Sequence, residues 1–185
     1  MIMLEGKFLK IIRFGFKVLM HGPLFKNYYR LALKHAMLRL GLIKDDYVTI
    51  RCFDGSSTQT TLYTVGKLIY SYVTGYVNGI NCLGNSVRFF DGSLIPISEV
   101  MFGDGIGDAL RYGWRYDADN GYWFRDNIKF KHMHVSIIEN FGFDQYGVLN
   151  VKDRVVVDVG AFVGDSALYF VLRGAKKVYA VEPHP

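Results

Sequence analysis

Cysteine is scarce: Cys52 and Cys82 are the only two in 185 residues. Two thiols cannot make a multi-bridge framework or a four-ligand zinc site. A reduced, cytoplasmic setting is the simplest fit. There is no run of about 18 uncharged apolar residues, so no transmembrane span is expected. Acid is nearly missing from the first 44 residues, which carry nine Lys/Arg against Glu5 alone. Residues 45–185 carry 13 Lys/Arg against 16 Asp/Glu. The basicity is therefore N-terminal, and the body of the protein is not a basic nucleic-acid-binding domain. What is present is core-forming material: 50% apolar, with 13 Tyr, 14 Phe and 2 Trp. That composition excludes a disordered tail protein.

Three regions follow. Residues 1–44 read as a basic helical pair, 45–135 as an α+β accessory region, and 136–185 as the start of another α/β domain. In the first, Lys7, Lys10, Arg13 and Lys17 share one face of a helix over 6–20. The Gly22-Pro23 pair breaks it, and a second helix is expected from Pro23 to about Leu40, with Gly41 as its stop. Lys26, Arg30 and Lys34 make a second basic stripe. The charges interrupt any apolar core of a secretory signal. Two readings of residues 7–34 stand side by side: a solvated basic face, or peripheral contact with an anionic membrane or an acidic partner.

In the accessory region, residues 47–53 alternate like a strand, Ser56 to Thr58 offer helix caps, and Leu62, Val65, Leu68, Ile69 and Tyr72 fall at helical spacing. A second strand is expected over 87–90. Phe-Asp-Gly-Ser occurs at 53–56 and again at 90–93, a turn signal with no chemistry assigned to it. Residues 102–131 read as loop and hairpin, turning at Asn120-Gly121. The run Gly103-Asp104-Gly105-Ile106-Gly107 lacks both the Gly-Lys-Ser/Thr ending of a phosphate loop and the spacing of a dinucleotide turn. His132 and His134 offer half of a metal site, with no third ligand nearby in sequence; no metal is assigned.

Residues 154–182 carry the chemistry. Val155-Val156-Val157 reads as a strand buried on both faces of a parallel sheet. It ends in Asp158-Val159-Gly160-Ala161-Phe162-Val163-Gly164-Asp165. A helix from Ser166 to Arg173 follows, then Gly174, a second apolar strand over 177–181, and Glu182 at its carboxyl end. Strand, glycine turn, helix, strand and acid open a nucleotide-binding α/β fold. Gly160 allows a sharp turn, the helix start suits a carboxylate, and Glu182 can accept both hydroxyls of a ribose. Phe162 stands where a dinucleotide fingerprint needs its second glycine, and its bulk would crowd a pyrophosphate. S-adenosylmethionine has no pyrophosphate. It offers a ribose for Glu182, a carboxylate for the turn, and an amino group for Asp158.

The stretch VVVDVGAFVGDSALYFVLRGAKKVYAVEPHP resembles the first cofactor motif of FkbM-family methyltransferases, through its DVGA…GD core, the RGA before the second strand and the Glu182-Pro183-His184-Pro185 ending. The lead-in IIENFGFDQYGVLNVKD is similar too, and the resemblance covers roughly residues 137–185. It implies a Rossmann-like, class I methyltransferase sheet that uses S-adenosylmethionine to methylate a hydroxyl on a small molecule, often a sugar or a natural product. Carried over, Asp158, Gly160, Ala161, Phe162 and Gly164 would hold the methionine moiety, with Asp165 and Ser166 beside it. Glu182 would bind the ribose, Pro183 and His184 would shape the adjoining wall, and Tyr146 would serve as a lid. No catalytic base is assigned. The family's later motifs are not in the sequence, so the chain is expected to be an N-terminal portion that binds the cofactor weakly or not at all. The alternative is a noncatalytic docking module that keeps a remnant of the motif.

Overall fold

The computed structural model describes residues 14–183. The architecture is mixed α/β, with helices and several small sheets. The chain divides into two compact units: Met1–Gly103 with Tyr116–Tyr122, and Asp104–Arg115 with Trp123–Pro185.

In the first unit, residues 14–20 are helical; the rest of the expected first helix, 6–13, lies outside the described residues. The second helix, α1 (Tyr28–Arg39), starts later than Pro23 suggested. Leu24 and Phe25 are buried ahead of it, and the chain there turns instead of coiling, with Tyr28 N–H donating to Phe25 O at 3.1 Å. Tyr28 itself is fully buried, which pushes its hydroxyl pKa up to about 12.

Strand β1 (Tyr47–Arg51) pairs antiparallel with β2 (Ser57–Thr61), Arg51 opposite Ser57. The strand β2 corrects the expectation that Ser56 to Thr58 cap a helix. The cap is Thr61, whose hydroxyl accepts from Thr64 N–H at 3.2 Å and opens α2 (Leu62–Val73). Leu62, Val65, Leu68 and Ile69 form its buried stripe, as their spacing predicted. Helix α1 packs on α2, and Gly66 permits the approach: a β-carbon there would lie 2.1 Å from His35 Nε2. Burial, then the nearby Arg39, lowers the His35 pKa.

Three further strands form one sheet in the order β3 (Val77–Asn81), β4 (Ser86–Phe89), β5 (Leu94–Pro96), all antiparallel. Helix α3 (Ile97–Phe102) follows. Both Phe-Asp-Gly-Ser copies make the same turn. In each, the residue before Phe53-Asp54 or Phe90-Asp91 donates its N–H to the serine carbonyl, at 2.9 Å in both cases. The aspartate then accepts from the serine N–H, at 2.9 Å for Asp54 and 3.0 Å for Asp91.

Cys52 and Cys82 are joined by a disulfide. This corrects the expectation of two reduced thiols, and the cysteine count no longer argues for a reducing compartment. Among the described residues, no helix is long and apolar enough to cross a membrane.

In the second unit, residues 106–111 are helical rather than loop. Gly105, expected in an open glycine run, is the N-cap of α4 (Ile106–Arg111). Strand β6 (Arg115–Asp117) leads into the expected turn, where Gly121 N–H donates to Asp117 O at 2.8 Å; residues 116–122 of this hairpin belong to the first unit. Strand β7 (Tyr122–Arg125) then pairs antiparallel with β8 (Ile128–Phe130), Trp123 opposite Phe130. Trp114 and Trp123 are fully buried. The Arg125 guanidinium lies 5.1 Å from the Trp114 ring and donates to Phe141 O at 3.0 Å. These two tryptophans are core. Helix α5 (Val135–Phe141) and residues up to Lys152 lead to β9 (Val155–Val159), α6 (Asp165–Leu172) and β10 (Lys177–Val181).

Strands β9 and β10 are parallel, with Val155 opposite Lys177 and Val159 opposite Val181. Tyr169 and Phe170 of α6 close one side with Val151, Val156 and Val178. The other side is open: Val155, Val157 and Val159 are 59%, 64% and 79% exposed. The expectation of a strand buried on both faces is therefore corrected. The valine run alternates inward and outward as any strand does, and among the described residues nothing covers the outward half.

Candidate functional site

The site grows from the carboxyl ends of the parallel pair. At the end of β9 the chain reverses at Gly160, whose φ of +80° is available to glycine without steric cost. A β-carbon at Gly160 would meet nothing within 4 Å, so the requirement is conformational, not spatial. The bend is pinned to β10: Gly160 N–H donates to Val181 O at 2.8 Å, and Ala161 N–H reaches the same oxygen at 3.2 Å. Ala161 is buried, while Phe162 projects outward, 59% exposed. Gly164 is the N-cap of α6.

Phe162 has a φ of +46°, unusual for a residue with a side chain. Its N–H donates to Glu182 Oε2 at 2.8 Å. The acid at the end of β10 thus sits on the tip of the glycine bend, and this charge-assisted bond helps hold the strained residue in place.

Behind the bend, two more carboxylates are held by side chains. Ser166 Oγ donates to Asp158 Oδ2 at 2.7 Å. Asn140 Nδ2, from α5, donates to Asp165 Oδ2 at 2.7 Å. Asp165 and Asn140 are 2% and 3% exposed, and Asn140 Oδ1 is buried with no hydrogen-bond partner. Asp158 and Glu182 are the partly exposed carboxylates near this helix start and suit ammonium or hydroxyl donors, whereas Asp165 and Asn140 are buried. The α6 N-terminus offers the opposite polarity, for a carboxylate. No group of three or more His, Cys, Asp or Glu among the described residues could hold a metal. That includes His132 and His134.

Most of the expected site residues converge. Asp158, Gly160, Ala161, Phe162, Gly164, Asp165, Ser166 and Glu182 are contiguous or hydrogen-bonded at the bend. Pro183 follows Glu182 and is exposed; His184 lies outside the described residues. Tyr146 is not gathered there. Its ring lies 5.2 Å from Phe170 and 6.2 Å from Tyr169, deeper along α6, within the apolar cluster. Tyr169 hydrogen-bonds Asp144; burial, then this bond, raises its pKa. Arg173 reaches Asp144 at 3.3 Å and Gly147 O at 2.9 Å. A cavity of about 260 Å³ there, lined by residues 147–152 and Arg173, lies at the amino end of β9, away from the bend.

Two residues that the expected site omitted stand beside it. Asn140 is one. The other is His134, whose ring lies 5.0 Å from that of Phe162, edge to face. The signal for Asn140 was available: it falls three residues after Ile137, at a core-facing place in an apolar helix. A polar residue there demands a buried partner.

No family model matches the chain, and no solved structure matches it. A 37-residue stretch, 20% of the chain, is 49% identical to the uncharacterized protein 158B of Sulfolobus islandicus rod-shaped virus 1. The chain spans 23% of the length of that curated relative.

Proposed function

We propose that the segment from Val155 to Glu182 is the cofactor-binding opening of an S-adenosylmethionine-dependent methyltransferase of Rossmann-like architecture, acting on a small-molecule or glycan hydroxyl. The observation that carries this reading is the 2.8 Å hydrogen bond from Phe162 N–H to Glu182 Oε2. It supports an acid and a glycine bend in register at the carboxyl ends of a parallel strand pair, where ligands of open α/β sheets bind.

The donor set fits the cofactor. Asp158 would accept from its ammonium, the α6 start would face its carboxylate, and Glu182 would take its ribose hydroxyls. When bound, the cofactor supplies an electrophilic methyl group on a sulfonium sulfur. The protein's part is then to orient and desolvate. Ser166 holds the Asp158 carboxylate in one rotamer, and Asn140 does the same for Asp165. Phe162 stands where a dinucleotide turn needs its second glycine, which disfavours a nicotinamide dinucleotide. The exposed valines of β9 favour a larger sheet, because parallel strands are ordinarily covered on both faces.

The test is a titration of the isotopically labelled chain with S-adenosylhomocysteine, followed by amide NMR. Amides of residues 158–166 and 182 shift in the parent, and both Asp158→Ala and Glu182→Ala abolish the shifts. If millimolar ligand leaves those amides unmoved, or NAD moves them instead, the reading fails.

A further inference from the structure

Helix α1 buries Tyr28 and Leu31. At 3.6 residues per turn, Tyr29 and Leu33, and Leu40 at the C-cap just past the helix, fall on the opposite side, where they are 44%, 65% and 50% exposed. An outward helix face ordinarily carries charged residues along its centre. Here the centre is apolar, with Arg30 and Lys34 to one side of it; Arg39 falls near the azimuth of the buried Tyr28 and is exposed at the helix end. The helical residues 14–20 repeat the arrangement. Phe16, Leu19 and Met20 are 66%, 65% and 72% exposed around an exposed Lys17. Tyr72 of α2 anchors both segments: its hydroxyl donates to His21 O at 3.2 Å, and its ring lies 6.1 Å from that of Tyr28. Residues 14–44 contain six Lys/Arg and no Asp or Glu.

We propose that this N-terminal surface docks on an anionic lipid interface, with α1 lying in its plane. Two chemistries coincide on one helix. Cations meet the headgroups, and large apolar side chains enter the boundary with the acyl chains. A nucleic acid would use the cations but leave Leu33 and Leu40 in water. The proposal is independent of the methyltransferase reading. The expected stripe of Lys26, Arg30 and Lys34 is shortened, because Lys26 precedes α1; Arg30 and Lys34 border the apolar face.

Flotation of the full 185-residue chain with vesicles tests it. The chain rises with vesicles of phosphatidylcholine and phosphatidylglycerol in equal parts, but not with phosphatidylcholine alone, and high salt releases it. Arg30→Gln with Lys34→Gln weakens partitioning roughly 30-fold. Leu33→Ser with Leu40→Ser weakens it at least about tenfold. Arg30→Glu alone, on an exposed side chain, gives an independent reading if the paired variant fails to fold. Equal partitioning into both vesicle types, or into neither, overturns the proposal. Loss with the charge pair but not the leucine pair overturns it in favour of an acidic macromolecule. A dimer dissolved by the leucine pair, with no vesicle binding, overturns it in favour of a second copy of the chain.

Discussion

The Asn140 amide and the Asp165 carboxylate meet at 2.7 Å inside the second unit, and each is almost fully buried. A buried carboxylate that loses its donor keeps the whole desolvation penalty. Asn140→Ala is therefore expected to destabilise the protein by about 1–3 kcal/mol. Asn140→Asp sets two carboxylates side by side and costs more at neutral pH than at pH 4, because one of them must stay protonated. Urea unfolding at the two pH values checks both; equal losses for Asn140→Asp at each pH would refute the paired-carboxylate argument.

The bond between Cys52 and Cys82 closes a loop with a sequence separation of 30. By loop-closure entropy, removing a link of that length costs about 3–4 kcal/mol. Reductant should lower the denaturation midpoint of the parent and leave that of Cys52→Ser, Cys82→Ser unchanged. A parent whose midpoint ignores reductant would show that the link contributes nothing to stability.

His35 sits against Gly66 with its pKa lowered from the ordinary 6.5, mainly by burial. The folded state thus binds its proton less readily than the unfolded chain. The stability tied to the neutral ring is complete above about pH 6.5 and fades as pH falls through the lower folded-state value. The thermal midpoint should drop below pH 6.5 in the parent, with a shallower slope in His35→Gln. Identical slopes would remove His35 from the acid response.

Sequence and structure agree best where local signals are strong and contiguous. Strands β9 and β10, the bend at Gly160 and the stop at Gly174 lie at the expected places, because a valine run, glycine punctuation and a short helical stretch each act over a few residues. Strand β2 has an ambiguous sequence because Ser57–Thr61 is polar throughout: its β-branched threonines suit a strand, but their hydroxyls also suit caps. Helix α4 hid inside a glycine run that reads as loop. The cysteine pairing has no local signal at all, since it depends on how distant strands come together. The spacing of Asn140 marks it as needing a buried partner, but that partner, Asp165, lies 25 residues away. Placing Glu182 near the bend needed only the spacing of one strand–helix–strand unit. Placing Tyr146 needed the packing of α6, which spacing does not give.

The two Phe-Asp-Gly-Ser turns share one hydrogen-bond pattern in different surroundings, so the pattern is set by the tetrapeptide and not by its neighbours. Each can close in microseconds, before any distant contact exists. Either tetrapeptide excised as a short peptide should therefore keep a measurable population of the same turn, since nothing beyond its own four residues and their neighbours' backbone is needed to close it.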